Sequence, residues 1–153
     1  MAKTCCFFGH RDTPSGIYPQ ILAAVEKLIA EQDVTEFHVG GYGNFDSMAT
    51  NAVLEAKAQH PDVELLLITA YLPTGKSRHE GRGYDAIIYP EGLEFVPRRY
   101  AILRRNRIMV DTTDFIIAYV AAPCGGAAQA LEYACSRKNP PVIINLHEAA
   151  QYE

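Results

Sequence analysis

Six short apolar runs recur along this chain, and between each and the next lies a stretch long enough to cross back over a sheet. They are Thr4–Phe8, Glu36–Val39, Glu64–Thr69, Ala86–Tyr89, Asp114–Val120 and Pro141–Asn145. The run "ELLLIT", Glu64 to Thr69, is apolar at successive positions, so both faces of that strand must be covered. Between the runs, apolar residues return at helical spacing. Ile21, Leu22, Val25, Leu28 and Ile29 mark Tyr18–Ala30 as a helix. Further helices are expected at about Phe45–Gln59, at Pro97–Val110 and at Cys124–Lys138. Strands alternating with helices require crossovers, and therefore an α/β fold: a mostly parallel sheet with helices on both faces. A polar stretch, Ala70–Asp85, follows the third run, but no linker or repeat divides the chain. One domain over 1–153 is expected, large enough for a real core.

In such sheets ligands gather beyond the carboxyl ends of the strands, near the point where strand order reverses. The first run is followed by Gly9, His10 and Arg11. The second is followed by Gly40, Gly41, Gly43, Asn44 and Asp46, and the fifth by Gly125 and Gly126, which open a helix. Glycine lets backbone N–H groups approach an anion, and a helix N-terminus favours negative charge. Arg11 can offer a fork of donors to phosphate. Asp46 can cap its helix or accept from a sugar hydroxyl. The spacing G-G-x-G is not the dinucleotide fingerprint G-x-G-x-x-G, and no G-K-S/T marks a P-loop. The expectation rests on concurrence: three glycine-bearing turns on one ligand edge point to a phosphate-bearing small molecule.

The helix at Pro97–Val110 carries Arg98, Arg99, Arg104, Arg105 and Arg107. Arg98 and Arg99 read as a solvated face. Arg105 lies four before Met109 and shares its side of the helix. If Met109 packs inward, Arg105 is aimed at the sheet, where it needs an anionic partner, either a carboxylate or a ligand.

A net charge of −4 argues against a general nucleic-acid-binding surface. No apolar run approaches the roughly 20 residues needed to span a bilayer, and the N-terminus has no signal-peptide pattern. No membrane role and a cytoplasmic location are expected. Cys5 and Cys6 are adjacent on a strand and point to opposite faces, so they cannot easily share one metal. With Cys124 and Cys135 they read as buried free thiols of a reducing cytosol, and neither a metal nor a cofactor is expected.

The segments "CCFFGHR", "VGGYGNFD", "RRNRIMVDTTDFIIAY" and "GGAAQALEYA" resemble the SLOG superfamily, which joins the DNA-processing protein A fold with the Lonely Guy phosphoribohydrolases. The nearest likeness is to its small single-domain, YpsA-like branch, over Thr4 to about Asn145. The resemblance implies a Rossmann-like three-layer sandwich that binds nucleotides or nucleotide-derived ligands, with Asn106 of the R-x-N-x-x-M-V-D run among the ligand-binding residues. Lonely Guy enzymes cleave the N-glycosidic bond of nucleoside 5′-monophosphates, with the signature P-G-G-x-G-T-x-x-E and an arginine on the preceding helix. Gly125 and Gly126 match the leading glycines, Glu132 the glutamate and Arg105 the arginine. If the chain is an enzyme, Glu132 and Arg105 are its catalytic pair by this likeness. Ala128 and Gln129 stand where the signature has glycine and threonine, and the proline is displaced to Pro123.

Two functions therefore compete: a cytosolic binding protein or sensor for a nucleotide-like ligand, and a phosphoribohydrolase. A DNA-binding module is the less favoured third. A homodimer or higher homo-oligomer is expected, from the habit of the family and from the apolar, tyrosine-bearing Ala127–Ala134.

Overall fold

The computed structural model describes residues 2–72 and 82–147, so the middle of the polar stretch Ala70–Asp85 lies outside the described residues. The elements are β1 (Lys3–Gly9), α1 (Tyr18–Gln32), β2 (Val34–Val39), α2 (Gly43–Lys57), β3 (Glu64–Ile68), β4 (Ala86–Ile88), α3 (Ala101–Asp111), β5 (Phe115–Tyr119), α4 (Gly126–Ser136) and β6 (Val142–Asn145). All six strands pair in parallel, in the order β4-β3-β2-β1-β5-β6. The mostly parallel sheet expected from the sequence is wholly parallel. Strand order reverses between β1 and β5, so the ligand crevice belongs at their carboxyl ends.

Alternation along β1 builds two cores. Cys5 and Phe7 face the layer of α1 and α2, where Ile21, Val25 and Leu28 recur at helical spacing and Phe45, Met48, Ala49, Ala52 and Val53 form the α2 stripe. Cys6 and Phe8 face the opposite layer, with Met109 and Val110 of α3 and Ala130 and Ala134 of α4. The result is the α/β Rossmann-like three-layer sandwich. Complete burial of a side chain such as Phe7 or Phe37 contributes about 2–3 kcal/mol. Among the described residues, no helix is long and apolar enough to cross a membrane.

Three expectations shift. The helix expected from Pro97 opens with a separate 3-10 turn, Arg98–Tyr100, before α3 begins at Ala101. The helix expected from Cys124 begins at Gly126, because Gly125 at φ 102° and ψ 174° is far from helical geometry. Cys5 and Cys6 are buried as expected, but Cys124 and Cys135 are exposed, one in the loop before α4 and one on its solvent side.

Candidate functional site

A cleft of about 330 Å³ opens at the reversal point, at the carboxyl ends of β1, β2 and β5. Gly9, His10 and Arg11 enter it from β1, Gly40 and Asp46 from the β2–α2 side, Arg105 and Asn106 from α3, and Gly125 and Gly126 from the start of α4. Gly41 and Gly43 do not line it. With Arg11, Asn44, Ser47 and Arg82 they line an adjoining hollow. Tyr42, Phe8, Ile102 and Met109 give the main cleft an apolar wall that the residues following the strands do not predict. Ile102 was findable, since it stands three before Arg105 and so shares its helix face.

Arg105 is 4% exposed. Its Nη1 donates to the carbonyls of Gly40 at 3.0 Å and Ile68 at 2.9 Å, and its Nε donates to Oδ1 of Asn106 at 3.0 Å. The guanidinium thus ties the ends of β2 and β3 to α3. The sequence correctly aims this arginine at the sheet, but its hydrogen bonds go to neutral oxygens rather than to an anion. Among the described residues, neither Nη2 of Arg105 nor Nδ2 of Asn106 has a hydrogen-bond partner. No buried side-chain nitrogen or oxygen is left unpaired there, so both nitrogens reach the cleft. They offer it N–H donors.

Asp46 stands in the first turn of α2, and its Oδ2 accepts from the Tyr42 N–H at 3.0 Å. Asp46 lies four residues after the N-cap Tyr42, one beyond the capping-box position, so it is not the N-cap itself but satisfies the N-cap N–H from the first turn. Burial pushes its carboxyl up to about 6, against the Tyr42 N–H and the Arg105 charge, which both pull it down. Burial likewise lowers the pKa of Arg105, opposed first by Asp46, although a guanidinium stays charged in proteins.

Two of the strand-end glycines are explained by packing. A Cβ on Gly9 would sit 2.1 Å from the Phe45 ring, and one on Gly40 would sit 3.1 Å from the Arg105 guanidinium. Gly125 and Gly126 differ, because a Cβ on either meets nothing within 4 Å. Among the described residues, no side chain caps the N-terminus of α4, which opens on the cleft. Arg11 is exposed and borders both hollows. His10 turns its Nε2 to the loop after β5.

Glu132 does not join this group. It lies on α4 with an exposed side chain and does not line the cleft. Residues six apart on a helix are about 600° apart in rotation, well off one face, so Gly126 and Glu132 do not point together. The expected pairing of Glu132 with Arg105 across one pocket is absent from this geometry.

No protein-family model and no curated protein matches this sequence. Its fold does match solved structures. DNA processing protein A from Helicobacter pylori, described for its single-stranded DNA binding mode, superposes with a TM-score of 0.64 at 14% identity, over 92% of this chain and 64% of that one. The molybdenum cofactor binding protein of the phototrophic bacterium Rippkaea orientalis gives 0.62 at 15% identity, over 99% and 83%. The Moco carrier protein of Chlamydomonas reinhardtii gives 0.57 at 16%, over 99% and 82%. This chain thus spans just under two thirds of the Helicobacter protein. The resemblance to the SLOG superfamily holds at the level of the fold: the chain shares the Rossmann-like sandwich of DNA processing protein A and of the molybdenum cofactor carriers.

Proposed function

We propose that this chain is a cytosolic binding protein for a nucleotide or nucleotide-derived ligand, held through its phosphate at the carboxyl edge of the sheet without turnover. The observation that carries this reading is Arg105, a buried cation whose hydrogen bonds go to neutral oxygens and whose remaining N–H edge meets a cleft. A buried charge calls for a compensating partner, and Asp46 compensates it only through space. Asn106, Arg11 and the open N-terminus of α4 add donors around the same cleft, which suits an anion. Tyr42, Phe8 and Ile102 supply an apolar wall for a flat base. Two neighbours in fold are named for binding or carrying the molybdenum cofactor, and a small-ligand cleft on this scaffold accords with them by analogy.

The hydrolase alternative drawn from the Lonely Guy likeness assigns its carboxylate to Glu132, which is exposed and does not line the cleft; the buried carboxylate that does, Asp46, already accepts the Tyr42 N–H. A DNA partner draws support only from the likeness in fold to DNA processing protein A, and the net charge of −4 weighs against it.

Calorimetry with nucleoside monophosphates and the matching nucleosides tests the reading, with chromatography for released base. At least one monophosphate is expected to bind about tenfold or more tighter than its nucleoside. Arg11→Ala, at an exposed position, should narrow that gap. Equal affinity for both classes removes the phosphate reading, and steady release of base restores the enzyme.

A further inference from the structure

The geometry points to His10 as a positioning residue: its neutral ring holds the loop between β5 and α4, and through that loop the N-terminus of α4, in place for the ligand. The backbone N–H groups of Ala121 and Ala122 both donate to His10 Nε2, at 2.9 and 3.2 Å. A ring nitrogen that accepts carries no proton, so His10 is held as the neutral Nδ1–H tautomer. Nε2 is thereby committed to the protein, and the ligand contact expected of His10 becomes control of the backbone that meets the ligand.

Both ends of this strut are anchored. The His10 carbonyl accepts from the Thr13 N–H at 3.2 Å and from Thr13 Oγ1 at 2.6 Å. Asn44 laces the same turn to the start of α2, donating its N–H to the Arg11 carbonyl at 2.8 Å and its Nδ2 to the Thr13 carbonyl at 2.6 Å. Across the sheet, Val120 is clamped by Asn145, whose Oδ1 accepts from the Val120 N–H at 3.1 Å and whose Nδ2 donates to its carbonyl at 3.3 Å. The loop is therefore gripped at Val120 from β6 and at Ala121 and Ala122 from β1. Among the described residues, His10 makes the last side-chain hydrogen bonds to this loop before α4 starts, uncapped, at Gly126. Without the imidazole, the segment Pro123–Gly125 hangs from Val120 alone, and the amides at the helix start lose their fixed aim.

The part of this inference that concerns the ligand rests on the binding function proposed above, so the experiment reads the two separately. First, ¹⁵N NMR of the ligand-free full chain, with the His10 signals identified by their loss in His10→Gln, should show an unprotonated, accepting Nε2. An Nε2–H tautomer overturns the assignment. Second, His10→Ala should speed hydrogen exchange of the Ala121 and Ala122 amides by about tenfold or more. His10→Gln, which keeps an acceptor at similar reach, should hold them near the wild-type rate. Unchanged exchange in His10→Ala overturns it as well. Third, pyrophosphate titration should show about tenfold weaker binding in His10→Ala, largely restored in His10→Gln. Equal affinity in wild type and His10→Ala overturns the link from His10 to the ligand. If the wild type takes no pyrophosphate, the link from His10 to the ligand falls, the phosphate-binding reading is decided by the monophosphate and nucleoside titrations above, and tautomer and exchange still decide the role of His10 in the loop.

Discussion

Asp46 and Arg105 interact through space across the cleft wall, yet make no hydrogen bond to each other. The guanidinium gives its hydrogen bonds to Gly40, Ile68 and Asn106, and the carboxyl takes the Tyr42 N–H. The pair is an acid and a base that the fold has enclosed without joining. That arrangement is unfavourable for an empty protein and useful for one that receives a ligand between them.

Asp46 binds its proton more tightly when folded, at about 6, than its ordinary value of 3.8 allows in the unfolded chain. Between those values the folded state holds the extra proton, so this residue lowers stability as pH rises from about 4 to about 6. Asp46→Asn removes that effect and keeps an acceptor for Tyr42. Chemical denaturation should find the variant more stable than wild type by roughly 3 kcal/mol at about pH 8, with the difference gone near pH 4. A variant less stable at pH 8 would mean that the carboxylate charge is needed to hold Arg105.

Glycines of the same edge should separate by role. Gly9→Ala drives a methyl into the Phe45 ring and should cost roughly 3 kcal/mol, read as a lower denaturation midpoint. Gly126→Ala meets open space in the first turn of α4 and should leave stability unchanged or slightly raised. Because the added methyl stands at the mouth of the cleft, it should weaken binding of a nucleoside monophosphate. Calorimetry showing unaltered affinity would place the anion elsewhere.

Arg105→Lys keeps the charge and loses the fork. One ammonium cannot serve the Gly40 and Ile68 carbonyls and the Asn106 amide in the same geometry, so stability should fall by roughly 2 kcal/mol. A midpoint within error of wild type would show that the fork contributes little.

Association of the chain with itself is expected, though through a different surface from Ala127–Ala134. Tyr133 of that segment turns its hydroxyl to Asp111 at 2.8 Å, under the Arg107 guanidinium, so it belongs to the packing of α4 on α3. Among the described residues, the large apolar side chains left exposed beside Arg107 and away from the cleft are Phe95, at 86%, with Tyr100 and Leu103. Light scattering should give a mass above the 16.9 kDa of one chain, and Phe95→Ser should lower it. A single-chain mass at tens of micromolar for the wild type would end this expectation.

Much of the molecule was legible in local pattern. Alternation and helical spacing involve residues two to four apart, and these decided the strands, the helices, their succession along the chain and the edge on which ligands collect. The Met109 spacing likewise turned Arg105 inward. Only the folded chain decided what those residues meet. Arg105 finds Gly40 and Ile68 at separations of 65 and 37 residues, and Phe45 fills the space that makes Gly9 a glycine. Glu132 matched a motif in the sequence and faces solvent in the fold. The physical reason is common to all three. Spacing along an element sets which face a side chain occupies, whereas strand order and layer packing set what stands opposite that face, and those arise from contacts between segments far apart in the chain.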